Sequence, residues 1–423
     1  MHIGFFTSEL SHKNGNYAGG LGNVAVEMIN YLSKKPDIDL YVFSLSKNLN
    51  GPRVVVEKEH KVIYHWFPMS LFGILTNNNY NTYMQDFSQA VLLYLIENYL
   101  TKDPAFFNIA HFHDWMVIPI LLNLHSLKYP KIRRILHMHS TEYGREGNKI
   151  NYHDDTRSRE SLYKHNLEMV GCHSADLVIP VSKGFGEELV RLFGIPKDKV
   201  RFVNNGMNFD FYISNRTDHH SVRSNLGIAD DDPVIVFCGR LVWQKNPRLL
   251  LESFMLVHAV NPRVKLLFLG DGDMKGELQD YCKLKKVFGT AVHFLGSTNG
   301  KAKLDYYSTA NLVAVPSFNE PFGLIIIEAY ASGTPVIIPN NIAPTSFLYP
   351  EIAYMCNPDV ESFSKTILQA IRNKDETKIM GVKGKEYVLS CMKDTDMGNN
   401  IYNIYSELSG IKSKNNIIGK IFL

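Results

Sequence analysis

The sequence predicts an α/β protein with two doubly wound domains, each built on a parallel sheet covered by helices on both faces. Short apolar runs alternate with longer segments of helical periodicity, and few polar residues interrupt these runs. The pattern starts again after a polar loop near residues 206–232. A chain of 423 residues has room for two or three domains.

The first half of the chain contains the first series of strands and helices. Gly19, Gly20 and Gly22 precede a helix with an apolar face, and a second helix is predicted over residues 83–100. The apolar runs predicted as strands are residues 2–6, 40–45, 108–112, 134–138 and 177–181.

The second half repeats this organisation. We therefore predict one domain over residues 1–208 and another over residues 209–389, with residues 390–423 packing back on the first. Ligands usually bind at the carboxyl ends of parallel strands, so we expect a cleft between the two domains. The predicted strands are 233–238, 264–269, 292–295, 312–316 and 335–339, and the predicted helices are 247–259, 274–287, 301–310 and 322–332.

Composition excludes several classes of protein. Lys and Arg number 45 against 42 for Asp and Glu, which is too even for a dedicated nucleic-acid binder. Hydrophobic residues make up 45%, enough to bury large cores. The five cysteines lack the spacing of a disulfide framework or a zinc site. We find neither a signal peptide nor an integral membrane segment, predict a cytoplasmic protein, and leave homo-oligomerisation open.

Two loops that follow first strands suggest phosphate binding. In the first half, GGLG at residues 19–22 could bring backbone amides and a helix N-terminus to a phosphate, or could only pack helix on strand. It does not match the dinucleotide fingerprint GxGxxG. In the second half, Arg240 and Lys245 could hold a diphosphate or could be solvated surface charges.

Residues 317–328, SFNEPFGLIIIE, are the most informative segment. Glu320 precedes a predicted helix and Glu328 lies inside it, surrounded by apolar residues. A buried carboxylate needs a partner, which could be the hydroxyl pair of a ribose or a nearby Lys or Arg. Pro321 near the helix start would leave first-turn amides free to bind a ligand, which we assign to Phe322, Gly323 and Leu324.

Histidines lie at the ends of two predicted strands, in HFHDW (residues 111–115) and HMHSTEYGR (residues 137–145). Alternate residues of a strand share a face, so each HxH pair lies on one side of its strand. Histidines this close could bind a metal, but no carboxylate spacing completes a metal site. We therefore predict no metal and expect hydrogen bonds to a polyhydroxyl ligand.

The motifs GGLG, HFHDW, HSTEYGR, VNNG, GRLVWQK and EPFGLIIIEAYASGTPVI, in this order, resemble the retaining GT-B glycosyltransferases. The chain is most similar to the glycogen and starch synthase type, in its short archaeal and bacterial forms (families 4 and 5). The resemblance extends from about residue 2 to about residue 340 and implies two Rossmann-like domains. It also implies a nucleotide-diphosphate sugar as donor substrate, ADP- or UDP-glucose, with no cofactor and no metal.

This resemblance assigns a role to each motif residue. Catalysis would involve Arg240 and Lys245 at the diphosphate, and Glu320 and His139 at the transferred sugar. Asp114 and Trp115 would lie near the acceptor. The remaining nucleotide-sugar-binding positions would be Gly20, Asn205, Phe322, Gly323, Leu324 and Glu328, the last at the ribose.

The chain departs from the synthase pattern at a few positions. Tyr17 stands where the synthases usually have Lys, Asn23 where they have Asp, and Asn246 where they have Gly. Residues 340–346 replace a glycine-rich turn. A hexose, glucose by expectation, would be moved to a glucan or other glycan. The alternatives are a small-molecule, lipid-linked or protein acceptor, and a non-catalytic sugar- or nucleotide-binding relative.

Overall fold

A computed structural model of the chain describes residues 1–10, 19–46, 49, 51, 53–69, 80–127, 129, 131–148, 156–215, 217–298 and 300–410. Tyr17 and the residues after 410 lie outside this range. The described residues form two compact α/β units. Unit 1 takes the described parts of Met1–Glu142, Ile150–Met207 and Asp394–Leu423, and unit 2 those of Tyr143–Lys149 and Asn208–Lys393.

Each unit is built on one sheet. The strands of unit 1 are β1 (His2–Thr7), β2 (Asp39–Ser46), β3 (Val55–Glu59), β4 (Val62–Pro68), β5 (Ile109–His113), β6 (Arg133–Met138) and β7 (Leu177–Pro180). Those of unit 2 are β8 (Val234–Cys238), β9 (Lys265–Leu269), β10 (Val292–Gly296), β11 (Leu312–Ala314), β12 (Val336–Pro339) and β13 (Ala353–Cys356).

Helices connect most of these strands. Up to residue 193 they are α1 (Gly20–Leu32), α2 (Tyr80–Leu95), α3 (Ile118–Ser126), α4 (Glu142–Arg145), α5 (Thr156–Ser174) and α6 (Lys183–Phe193). After it they are α7 (Asp210–Ser214), α8 (His219–Asn225), α9 (Pro247–Val260), α10 (Lys275–Leu284), α11 (Gly300–Thr309), α12 (Leu324–Ala331), α13 (Val360–Arg372), α14 (Lys374–Cys391) and α15 (Asp394–Leu408). No helix in these ranges is both long and apolar enough to cross a membrane.

The strand order gives each sheet one switch point, where the chain changes its direction of progress across the sheet. The order in unit 1 is β3-β4-β2-β1-β5-β6-β7, with the switch between β1 and β5. The order in unit 2 is β10-β9-β8-β11-β12-β13, with the switch between β8 and β11. In open α/β sheets, the carboxyl ends of the strands at such a point are the usual ligand site.

The predicted α/β class with two parallel-sheet domains is confirmed, with some local differences. The edge strand β3 pairs antiparallel to β4, whereas the sequence pattern suggested parallel strands only. The helix predicted over 83–100 is α-helical over Tyr80–Leu95 and continues as a π-helical turn to Leu100. The helix predicted over 322–332 begins only at Leu324, because Gly323 adopts a left-handed conformation with φ of 82°.

The last described helix, α15, packs on unit 1. Its Tyr402 hydroxyl donates to the Asp37 carboxylate at 3.1 Å, and Glu407 pairs with both terminal nitrogens of Arg201 at 2.6 Å. Gly398 lies so close to the Tyr31 ring that an added Cβ would come within 2.2 Å of it. A side chain at position 398 would therefore push α15 away from α1.

The two faces of the first sheet have different side chains. On one face, Phe6 stacks between Phe43 and Phe112, with ring centroids 4.9 and 4.7 Å apart. These three residues are directly paired across β2, β1 and β5. On the other face, Phe5 lies 4.2 Å from the ring of His113. Period-two alternation therefore places a histidine cluster on the face opposite the phenylalanine stack.

His65 on β4 provides a test of pH-dependent stability. Its Nε2 lies 2.7 Å from the Tyr99 hydroxyl, its Nδ1 is buried without a partner, and burial lowers its pKa to about 4. The unfolded chain takes up this proton near pH 6.5, so the stability from neutral His65 is complete above that pH and decreases towards pH 4. Between pH 7 and pH 5 the unfolding free energy of the native chain should therefore decrease. We expect this decrease to be about 2 kcal/mol smaller in His65→Phe.

Urea unfolding at the two pH values measures this difference. The exposed His219 provides the control, since His219→Gln should keep the pH dependence of the native chain. An identical loss for His65→Phe and the native chain would contradict the prediction.

Candidate functional site

Arg240 lies directly after β8, at the switch point of the second sheet. It is exposed, and no hydrogen bond or ion pair joins its side chain to another described residue. Its loop is held by the segment after β9, since the amide of Leu241 donates to the carbonyl of Asp271 at 2.8 Å. The structure therefore presents a free guanidinium from a fixed backbone.

Two glycines that sequence reasoning missed make this close packing possible. A Cβ on Gly270 would lie 1.9 Å from the Gly239 carbonyl oxygen, and one on Gly272 would lie 2.5 Å from that of Leu241. Both glycines also have positive φ, 148° and 155°. The sequence GDGD at 270–273 after a strand is the signal that could have identified them.

Lys245 is paired with Glu320, which lies in the segment after β11, the other strand of the switch point. Its Nζ lies 2.6 Å from Oε2 of Glu320, and Ser317 Oγ donates to the same oxygen at 3.3 Å. Glu320 is buried, with 7% of its surface exposed. The structure thus brings together two residues that are 75 positions apart and were assigned to the same substrate.

Asn246, which replaces the usual glycine after Lys245, has a structural explanation. It adopts φ of 47° and ψ of 49°, the left-handed region in which glycine and asparagine are favoured. Its side chain accepts a hydrogen bond from the amide of Leu249 at 3.4 Å and so caps α9. This departure therefore preserves the local backbone.

The residues before α12 are arranged differently from the prediction. Phe322 is buried against Phe347, with centroids 5.2 Å apart, and Gly323 is the N-cap. Only Leu324 of the three predicted donor positions lies within the helix, and no side-chain hydrogen bond caps the helix start in the described structure. The Leu324 amide is therefore a first-turn donor, whereas Phe322 and Gly323 precede the helix.

Glu328 belongs to a partly buried polar cluster. Lys303 Nζ lies 2.5 Å from its Oε2, and the Tyr307 hydroxyl donates to the same atom at 2.9 Å. Burial lowers the pKa of Lys303, but the attraction of Glu328 outweighs it and raises that pKa overall. Burial and then the charge of Glu328 raise the pKa of Tyr212. The salt-bridge partner left open by the sequence is thus Lys303, which sequence reasoning did not identify.

The segment after HSTEY packs with unit 2, although it follows a strand of unit 1. Asn148 Nδ2 donates to the Phe318 carbonyl at 2.8 Å, and Asn319 Nδ2 donates to Asn148 Oδ1 at 2.9 Å. A Cβ on Gly147 would lie 2.5 Å from Trp243 Nε1. These contacts link the segment to the two motif loops after β8 and β11.

The predicted residues of unit 1 lie mainly around its own switch point. Gly20 begins α1, whose start is not capped by a described side chain. Asp114, with φ of 61°, accepts hydrogen bonds from the amides of His139 and Ser140 at 2.7 and 3.3 Å. It thereby joins the ends of β5 and β6. Asn205 is buried, and its Oδ1 has no partner in the described structure.

Trp115, the other predicted acceptor residue, is also buried. It has 6% of its surface exposed, and the Lys164 ammonium lies 5.4 Å from its ring centroid. Both assigned acceptor residues therefore have contacts within the unit, and their contact with an acceptor stays a prediction.

A cluster of four histidines lies at the ends of β5 and β6: His111, His113, His137 and His139. Burial lowers the pKa of His111 to about 3 and that of His139 to about 4. Four ring nitrogens of the cluster are buried without a partner in the described structure. Each such atom costs about 1–3 kcal/mol unless a ligand, ion or water satisfies it.

Two Rossmann-like units in one chain, each with motif residues at its switch point, define the GT-B class of fold. Two protein families match the chain. "Glycosyltransferase Family 4" matches residues 18–211, and "Glycosyl transferases group 1" matches residues 218–387. The chain therefore carries a family 4-like domain followed by a group 1 domain, the two domains of a GT-B glycosyltransferase. This confirms the resemblance to GT-B glycosyltransferases found in the sequence.

Among the relatives is an uncharacterized glycosyltransferase of Methanocaldococcus jannaschii, which is 36% identical over 236 residues. This match covers 55% of the chain and 57% of that relative, a little over half its length. A D-inositol 3-phosphate glycosyltransferase of Stackebrandtia nassauensis is 24% identical over 79% of the chain and 74% of the relative.

Solved structures share the fold at low sequence identity. Sucrose-phosphate synthase from Thermosynechococcus elongatus has a TM-score of 0.76 at 20% identity, covering 97% of this chain and 99% of that one. HepE of Anabaena in complex with UDP-glucose has a TM-score of 0.71 at 16% identity, covering 96% of this chain and 100% of HepE. The catalytic domain of Starch Synthase IV from Arabidopsis thaliana was solved bound to ADP and acarbose. It has a TM-score of 0.71 at 13% identity, covering 97% of this chain and 99% of that domain.

Proposed function

We propose that this protein transfers a hexose from a nucleotide-diphosphate sugar to an acceptor, with retention of the anomeric configuration. The observation that supports this best is the arrangement at the β8–β11 switch point. There Arg240, whose side chain has no ion pair with any residue in the described part of the chain, extends from a fixed loop. The Lys245–Glu320 pair joins the loops after the two strands. A diphosphate suits such a site because it is an anion with many acceptor oxygens.

The proposed chemistry follows from charge. Cleavage of the sugar–phosphate bond develops negative charge on the departing diphosphate, which Arg240, Lys245 and the Leu324 amide would stabilise. Glu320 would face the positive charge that develops on the sugar. Fixed cations serve this purpose, so the proposal invokes no metal or other cofactor. The leaving phosphate would act as base for attack from the same face of the sugar.

Other residues would bind the donor. Glu328 would accept hydrogen bonds from the ribose hydroxyls, in addition to those from Lys303 and Tyr307. Gly20 is proposed at the phosphates, and His139 and Asn205 at the sugar hydroxyls. The buried Oδ1 of Asn205 without a partner supports its assignment, because an unsatisfied buried acceptor gains from a hydroxyl donor. Asp114 and Trp115 remain the proposed acceptor residues.

The proposed donor is UDP-glucose or ADP-glucose, since one structural neighbour was solved in complex with UDP-glucose and another bound to ADP. A thermal-shift screen with UDP, ADP and GDP tests it. A nucleotide at about 100 times its dissociation constant should stabilise the protein by about 2.7 kcal/mol. The same nucleotide should give a much smaller shift with Arg240→Ala. No shift with any of the three would contradict the proposal and favour a non-catalytic relative.

For the acceptor we propose a small phosphorylated polyol, because relatives that align with 79% of the chain are named D-inositol 3-phosphate glycosyltransferases. A glucan is the second candidate, supported by the likeness to a starch synthase domain. Release of UDP or ADP from the donor should increase with inositol 3-phosphate and not with glucan. Faster release with glucan than with inositol 3-phosphate would overturn the first choice and leave sugar transfer itself supported.

A further inference from the structure

The four histidines of the cluster form a two-by-two array on one face of the first sheet. His113 and His137 are directly paired across β5 and β6, and His111 and His139 lie two residues before and after them. Neighbouring ring centroids are 4.4 to 5.4 Å apart. His111, His113 and His137 are fully buried, with 0% of their surface exposed.

Hydrogen bonds already occupy one nitrogen of two rings and leave the other free. Nδ1 of His111 lies 2.6 Å from the Tyr405 hydroxyl on α15, and Nδ1 of His113 lies 3.1 Å from Nε2 of His139. Nε2 of both residues, and both nitrogens of His137, have no partner within the described ranges. A histidine that binds a metal through one nitrogen usually has its other nitrogen held in this way.

We propose that His111, His113 and His137 form a binding site for a divalent transition-metal ion of the zinc type. One ligand atom from each residue lies within 4.8 Å of the others. Three histidines with a water molecule are an established ligand set for zinc, and imidazole also suits cobalt and nickel. The site would stabilise unit 1, and it has no part in the proposed transfer reaction.

The charge and the exposure around the cluster also favour such an ion. The buried carboxylate of Asp114, held at the amides of His139 and Ser140, supplies a negative charge at the strand ends. The fourth histidine of the cluster, His139, is partly exposed and marks the side from which an ion would enter.

Binding requires a change in ring orientation. The rings of His111 and His137 are stacked at an angle of 5°, so their lone pairs do not converge. Tetrahedral zinc places ligand nitrogens about 3.3 Å apart. The ring of His137 has no hydrogen bond to a described residue. Rotation of this ring about the Cβ–Cγ bond, a soft torsion in histidine, would turn a nitrogen towards Nε2 of His111 and His113, whose Nδ1 hydrogen bonds would be kept.

The test uses the full-length protein without a histidine tag, freed of metal with a chelator. Addition of Co²⁺ should give one bound equivalent with visible absorption bands of low-coordinate cobalt, and Zn²⁺ should displace it. The melting temperature should rise with either metal. X-ray absorption at the zinc edge of the native chain should show four nitrogen or oxygen neighbours at about 2.0–2.1 Å, with the outer-shell scattering of three imidazoles. This measurement needs no variant to fold.

His137→Gln should remove the bound equivalent. The double variant His219→Gln/His220→Gln is the matched control, since these adjacent exposed histidines could bind metal adventitiously. This variant should retain the one equivalent of bound metal. The proposal is overturned if the native chain binds none of Zn²⁺, Co²⁺ and Ni²⁺, or if binding survives His137→Gln. It is equally overturned if the control variant loses the bound metal.

Discussion

Replacing Arg240 by alanine is expected to lower the rate of sugar transfer by roughly 10²–10³-fold, the usual loss when one charge-stabilising group is removed from a transition state. Arg240 is exposed, and its side chain has no hydrogen bond or ion pair within the described ranges, so the free energy of unfolding should change by less than about 0.5 kcal/mol. Steady-state release of nucleotide and a thermal melt measure the two effects on the same sample.

Arg248 provides the matched control for Arg240. It is an exposed arginine eight positions along, and its ion pairs go to Glu252 and Glu277 at 2.8 and 2.6 Å. Arg248→Ala should keep near-native turnover. Turnover of Arg240→Ala equal to that of Arg248→Ala would reject Arg240 as a diphosphate ligand.

Lys245 should behave differently from Arg240, because its removal leaves the buried Glu320 without its cation. Lys245→Ala is therefore expected to lose both activity and thermal stability. Lys245→Ala/Glu320→Gln removes the unpaired charge, so it should regain stability and remain inactive. Recovery of turnover in the double variant would show that Lys245 acts only through the fold.

Replacing Lys303 by methionine is expected to lower the free energy of unfolding by about 2–4 kcal/mol, since it leaves the carboxylate of Glu328 without its cation in a largely buried setting. Lys303→Met/Glu328→Gln should recover part of this loss, because the second change removes the uncompensated charge. Chemical denaturation of the native chain, Lys303→Met, Glu328→Gln and the double variant completes a double-mutant cycle.

Lys301 provides the control for Lys303. It lies two positions earlier on α11 and pairs with Asp305 at 2.8 Å, with about half of its side chain exposed (51%). Exposed pairs of this kind contribute up to about 0.5 kcal/mol, so Lys301→Met should be close to native in stability. Equal losses for Lys301→Met and Lys303→Met would contradict the assignment of a buried ion pair.

Much of the fold could be predicted because parallel strands buried on both faces require near-continuous apolar runs. The predicted strand 2–6 is observed as His2–Thr7, and the predicted strand 233–238 as Val234–Cys238. Helix ends were harder to predict, as α12 shows. Its start depends on the backbone angle of Gly323, which sequence periodicity does not reveal.

For the candidate site, the sequence supplied the residues and the tertiary structure supplied their partners. Positions at strand ends and motif order made Arg240, Lys245, Glu320 and Glu328 the candidates. Sequence reasoning missed Lys303, Gly270 and Gly272, whose importance arises from contacts with residues distant in the chain. The sequence also grouped residues 143–148 with the first domain, whereas their hydrogen bonds join them to unit 2.

The sequence by itself determined the class of fold, the family and the chemical groups available for catalysis, because these depend on local periodicity and on ordered motifs. Only the tertiary structure decided which charges are paired. Among the residues that the structure describes, the side chain of Arg240 has no ion-pair partner, whereas Lys245 and Glu328 have one each. It also decided that two separate HxH motifs form one buried cluster. The physical reason is that ion pairing and burial depend on the register of neighbouring strands and on distances between residues far apart in the chain.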